Sequence, residues 1–156
     1  MGDDLSSANN ALDGMMPLKI KHSVGKGGSN HPDDVALVQF MLDTIHLDPQ
    51  NPFRMPSLLM IDGLCGSRSL DGILGYQKYK KDLWFPLLMV DGRVTATPHA
   101  ILAGPRSFGY STIYNLNWDF MNSVGRTDQR LFGAYFFEPF FSAIVLPLQK
   151  AGILPA

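Results

Sequence analysis

The chain is poor in residues that would staple it or hold a metal. It has 156 residues and a single cysteine, Cys65, which excludes an intrachain disulfide framework and a zinc site built from cysteines. Charge is scarce too. Charged residues make up 17% and the formal net charge is −1, where about 25% charged is ordinary. No global field therefore favours nucleic acid or an anionic membrane surface. Glutamate occurs once, as Glu138, so a paired-carboxylate glycosidase centre would need scattered aspartates. The histidines, His22, His31, His46 and His99, show neither H-x-x-x-H nor H-E-x-x-H spacing. His31 and Asp34 form a lone H-x-x-D, better read as chemistry at a helix start than as a metal site. Cys65 reads as a buried free thiol rather than a nucleophile. The expectation is no enzyme, no metal and no cofactor.

What is present is a globular composition. Hydrophobic residues reach 46% and aromatics 11%, which excludes disorder over the whole length. Residues 1–16, MGDDLSSANNALDGMM, contain acidic but no basic residues and read as a flexible acidic tail without the basic start and apolar run of a secretory signal. Leu18 and Ile20 alternate with Lys19 and Lys21, after which Gly25, Gly27 and Gly28 form a loop. That loop has neither GxxxxGK[ST] nor GxGxxG spacing, so it is no phosphate cradle.

Pro32, Asp33 and Asp34 suit a helix start, and Val35, Val38, Met41, Leu42 and Ile45 form one apolar stripe behind them. The prolines of residues 46–57 require a loop. A second helix is expected from about Ser69 to Leu83. Leu70, Ile73, Leu74 and Gln77 lie on one side of it, and Lys78, Lys80, Lys81 and Asp82 on a solvated side that also carries Tyr76 and Tyr79.

An internal repeat is the most informative pattern. Leu58-Leu59-Met60-Ile61-Asp62-Gly63 returns as Leu87-Leu88-Met89-Val90-Asp91-Gly92. Two copies are too few for a solenoid, which needs about three; they suit a small pseudo-symmetric helical domain. In each copy an apolar run leads into a tight Asp-Gly turn, and a helix is expected to follow. Glycine supplies the positive φ and aspartate accepts backbone N–H groups. Calcium is excluded, because an EF-hand loop would need oxygen ligands at Leu58 and Met60, or at Leu87 and Met89. Gln39 and Gln77 are polar residues on otherwise apolar faces, able either to line a groove or to bond a neighbouring loop backbone.

These residues resemble the peptidoglycan-binding domain family, three-helix modules attached to many bacterial cell-wall hydrolases. Asp34-Val35-x-x-Val38-Gln39-x-x-Leu42 is similar to D-V-x-x-L-Q-x-x-L, and Asp62-Gly63-x-x-Gly66-x-x-Ser69 to D-G-x-[FY]-G-x-x-T. Ile73, Tyr76 and Gln77 stand where the family has I-x-x-F-Q, and Asp91-Gly92-Arg93-Val94 resembles its second D-G-x-V turn. The resemblance covers about residues 24–103. Three departures stand out: a longer connection before Asp62, Cys65 where an aromatic is common, and Gly72 in place of alanine. The resemblance implies non-catalytic peptidoglycan binding in a shallow groove between the second and third helices. Asp62, Gly63, Gly66, Ser69, Tyr76, Gln77, Asp91 and Gly92 would form the site. The aspartates would accept from sugar hydroxyls or peptide amides, and Tyr76 would cover a sugar face. The lead-in GKGGSNHPDDV is similar to domains associated with contractile injection machines such as type VI secretion systems. Such a machine would export a chain made in the bacterial cytoplasm without a signal peptide, to the periplasm or beyond.

In the C-terminal third, Thr112 to Val124 reads as an amphipathic helix. Ile113, Leu116, Phe120, Met121 and Val124 form its apolar face, with Asn115, Asn117, Asp119 and Asn122 mostly opposite. Residues 131–148 are nearly apolar, but Glu138, Pro139 and Pro147 argue against a membrane span. Phe136, Phe137, Phe140 and Phe141 form a candidate interface for a protein partner or a second copy. The alternative function is thus a scaffold, adaptor or cargo protein of an injection machine, binding protein through this segment. The expected fold is mainly α: an acidic tail at 1–16, a peptidoglycan-binding-like domain at 17–103, and a helical extension at 104–156.

Overall fold

The computed structural model describes residues 18–96, 111–124, 141–150 and 152. The acidic segment 1–16, His99, Glu138 and the aromatics Phe136, Phe137 and Phe140 lie outside the described residues, as does the end of the expected first domain at 97–103. The described chain is mainly helical. In order it forms β1 (Val24–Gly25), α1 (Pro32–Leu47), α2 (Ser67–Leu83), β2 (Arg93–Val94) and α3 (Thr112–Val124). A π-helical turn at Phe141–Val145 then runs into α4 (Leu146–Lys150). No helix among these is long and apolar enough to cross a membrane.

Helix α1 starts where its sequence says it should, with Pro32 in the first turn and Asp33 and Asp34 at the positive end of the dipole. Asp34 also reaches back, its carboxylate accepting the backbone N–H groups of Lys21 and His22 at 3.0 and 3.1 Å. The expected single stripe is too narrow, however: every residue from Asp34 to Ile45 is buried. Helix α1 is the central rod, packed by α2, α3, β1 and the π-helical turn. Phe40 meets Phe120 of α3 with ring centroids 5.7 Å apart. One core runs from Leu18 and Ile20 through α1 and α2 to Ile113, Phe120, Ile144 and Leu148. The expected division between residues 103 and 104 therefore does not divide the core.

Two departures from the family pattern explain each other. The connection from α1 to α2 folds Met55 and Leu59 onto α2 at Gly72. A Cβ there would stand 3.2 Å from Met55 Sδ and 3.6 Å from Leu59 Cδ1. The missing methyl is thus the space that the longer connection occupies.

Strands β1 and β2 pair antiparallel, Val24 with Val94 and Gly25 with Arg93. The second Asp-Gly turn is accordingly followed by a short strand and not directly by a helix. The pairing presses two backbones together at Gly25. Its φ is +107°, and a Cβ would sit 2.0 Å from the carbonyl oxygen of Gly92. The glycine loop is closed from within: Asn30 accepts the Gly25 N–H at 2.7 Å and donates to the Gly25 and Gly28 carbonyls.

Inside α1, Asp43 is wholly buried. Its Oδ1 accepts the Leu59 N–H at 2.8 Å, while Oδ2 has no partner. Burial pushes its pKa up to about 7, against a smaller opposing effect of the Leu59 bond.

Two outcomes are expected. Gly25→Ala should lower the unfolding free energy by about 2–4 kcal/mol, read from urea titration, because φ and the carbonyl contact both exclude a side chain. Asp43 holds its proton more tightly folded than unfolded, so its contribution is complete below the ordinary carboxylate pKa and is lost as pH rises through about 7. Tm should fall from about pH 4 to pH 7 and level off above, and Asp43→Asn, which keeps the acceptor for Leu59, should flatten that fall.

Candidate functional site

The repeat in sequence is a repeat in hydrogen bonding. Gln39 projects from α1 into the first Asp-Gly turn. Its Nε2 donates to Asp62 Oδ1 at 3.1 Å, Leu64 O at 3.0 Å and Ser69 Oγ at 2.9 Å, while its Oε1 accepts the Gly63 N–H at 3.1 Å. Gln77 does the same from α2. Its Nε2 meets Asp91 Oδ1 at 3.1 Å, Arg93 O at 3.0 Å and Thr112 Oγ1 at 2.9 Å, and its Oε1 accepts the Gly92 N–H at 2.9 Å. In both turns the same aspartate oxygen also accepts the N–H two residues on, Leu64 at 2.9 Å and Arg93 at 3.0 Å. Each clasp thus joins a helix, an Asp-Gly turn and a hydroxyl from the start of the next helix. Gly63 and Gly92 adopt φ of +73° and +74°, which lets their N–H groups face the glutamine.

Of the two sequence alternatives for Gln39 and Gln77, the structure takes the loop-backbone bond. The proposed site residues are then largely committed to the fold. Gly63, Ser69, Gln77 and Gly92 are buried, Asp91 is half-buried, and Asp62 and Gly66 are exposed. Tyr76 requires a correction. It is wholly buried, its hydroxyl donating to Asp119 Oδ2 at 2.5 Å and its ring meeting Phe53 edge-on with centroids 5.3 Å apart. No sugar can reach that face.

Lys80 is corrected likewise. Placed on a solvated face by its sequence position, it is 4% exposed and paired with Asp119 Oδ2 at 3.0 Å. Its ammonium also lies 5.7 Å from the ring centroids of both Tyr79 and Phe85. Of the polar face expected on α3, Asn115, Asn117 and Asp119 are in fact buried and Asn122 is exposed, as is Met121 of the expected apolar face. Asn117 exchanges two hydrogen bonds with the Leu18 backbone, at 3.0 and 2.9 Å, and Asn115 donates to the Ser111 carbonyl at 2.9 Å.

Between α2 and α3 these pairings leave an open groove of about 460 Å³, lined by Tyr79, Lys80, Trp84, Phe85, Asn115, Trp118 and Asp119. The chain has two tryptophans, and both line it, Trp84 at 65% and Trp118 at 52% exposure. Burial and the Asp119 charge raise the Tyr79 pKa, a hydrogen bond with Trp84 acting the other way, so its phenol stays neutral at physiological pH. Sequence reading missed this site. Nothing local in the sequence shows that Trp84 and Trp118 converge, since they lie 34 positions apart, one at the end of α2 and the other within α3.

Cys65 packs against the core from a partly buried position, and burial raises its thiol pKa, which leaves it a poor nucleophile. Of the phenylalanine cluster, Phe141 is described only as the first residue of the π-helical turn. Among the described residues no three His, Cys, Asp or Glu side chains are placed to hold a metal. Comparison with protein-family models, curated proteins and solved structures finds no match for this chain.

The clasps generate a stability test. Gln39→Glu and Gln77→Glu keep the shape but replace the donating amide by a carboxylate facing Asp62 or Asp91. Each should cost about 2–4 kcal/mol at pH 7, with part of the loss recovered near pH 4 as one carboxyl of the pair protonates. Denaturant titration at both pH values measures it.

Proposed function

We propose that this chain is a non-catalytic binding module for bacterial cell-wall peptidoglycan, with the ligand held in the groove between α2 and α3. One observation carries the reading: both tryptophans of the chain open onto one groove, between α2, the second helix of the region that carries the family resemblance, and α3, which lies beyond that region. Exposed indole faces beside a few polar groups suit a ligand with alternating apolar and hydroxylated surfaces. The Asp-Gly turns serve it indirectly, because the Gln77 clasp holds the start of α3 against α2 and so sets the groove's width. In this reading the chain reaches the wall as cargo or component of a contractile injection machine.

A second reading, a protein-binding adaptor, is favoured by the other face of the repeat. Leu58 and Met60 in one copy, and Leu87 and Met89 in the other, are all exposed, so each repeated apolar run buries one leucine and presents the other leucine and the methionine. Such paired patches are a feature of interaction surfaces.

Co-sedimentation with insoluble peptidoglycan sacculi separates the two. Wild-type protein should bind saturably, and a folded Trp84→Ala/Trp118→Ala variant should lose at least nine-tenths of the bound fraction, about 1.4 kcal/mol or more. Well-folded wild-type protein remaining in the supernatant would exclude the cell-wall reading and favour the adaptor.

A further inference from the structure

Resting on the cell-wall reading, we propose that the α2–α3 groove takes the neutral glycan strand, a chain of N-acetylated hexosamines, and not the carboxylate-bearing stem peptide. The charge of the groove decides against the peptide. Among the described residues that line it, Lys80 and Asp119 are the ionised side chains, and they are joined to each other at 3.0 Å. The cation that a ligand carboxylate would need is thus already neutralised, and an incoming carboxylate would face Asp119 across a partly dehydrated site. Lys80 is further held over the rings of Tyr79 and Phe85, so it cannot swing out to meet a ligand without losing both.

The remaining lining favours a sugar. Trp84 and Trp118 present broad aromatic faces, which match the C–H faces of a pyranose ring. Asp119 uses Oδ2 for both Lys80 and the Tyr76 hydroxyl, leaving Oδ1 as an acceptor for a sugar hydroxyl or an acetamido N–H. The neutral Tyr79 phenol adds a group that can donate or accept. A net-neutral, aromatic, hydrogen-bonding cleft of this kind gains nothing from ligand charge, so affinity should be nearly independent of salt.

Because both tryptophans lie in the groove, intrinsic fluorescence reports this site without background from elsewhere. The protein is titrated with tetra-N-acetylchitotetraose, a strand of N-acetylated hexosamines without carboxylates, and with free stem pentapeptide. Sacculus sedimentation is run in parallel. The expected result is a saturable change with chitotetraose, unaltered between 50 and about 300 mM salt, and none with the pentapeptide. Trp118→Ala should weaken glycan binding tenfold or more and Trp118→Phe should restore most of it. Sacculus binding with no response to chitotetraose would overturn the glycan assignment and keep the cell-wall reading. Failure to bind either sacculi or chitotetraose would overturn both.

Discussion

The fold depends on a buried primary amide used twice. A glutamine carboxamide carries two N–H donors and a carbonyl acceptor, and inside a protein each left unmade costs about 1–3 kcal/mol. Gln39 and Gln77 satisfy theirs at the two Asp-Gly turns: on the Gly63 and Gly92 N–H groups, the Leu64 and Arg93 carbonyls, and the Asp62 and Asp91 carboxylates. Because each glutamine sits on a rigid helix, the turns are held to the core by geometry as well as energy. The third partner, Ser69 or Thr112, then fixes the start of the next helix. The Gln39 clasp positions α2, and the Gln77 clasp positions α3.

The groove is a consequence of that order. Once Thr112 is tied to Gln77, Asn117 to Leu18 and Asp119 to Tyr76 and Lys80, α3 has one orientation on α2. Its buried polar residues face inward, and Trp118 is left on the open side. Burying a lysine and an aspartate together is costly unless both are well paired. The Tyr76 hydroxyl and the two aromatic rings complete the pairing here. The same network that secures the helix also removes free charge from the cleft, which is why fold and ligand chemistry cannot be separated at this site.

Much of the scaffold was legible because its signals are local. Pro32 and the acidic first turn mark the start of α1, the proline-rich 46–57 stretch marks the connection, and Asp-Gly marks both turns. The repeated LLM[IV]DG run pointed to pseudo-symmetry, and the two clasps share one set of bonds. The polar faces were misread for an equally physical reason. Periodicity assigns lysine, asparagine and aspartate to solvent, but Lys80, Asn115, Asn117 and Asp119 are buried because each has a partner, some far away in the chain. Asn117 and Leu18 are 99 residues apart. Tyr76 was likewise placed beside a ligand because its ring recurs at a family position, whereas packing against Phe53 and a bond to Asp119 close it off.

By itself the sequence determined where helices begin, where the chain must turn, and that a disulfide framework, a cysteine-built zinc site and an EF-hand are excluded, since these follow from residue type and near-neighbour spacing. Only the tertiary structure decided which polar side chains become internal fastenings and which aromatics remain available. A buried pair such as Lys80 and Asp119 is stable only when two distant segments arrive together. That meeting, not the composition of either segment, brings Trp84 and Trp118 to one groove.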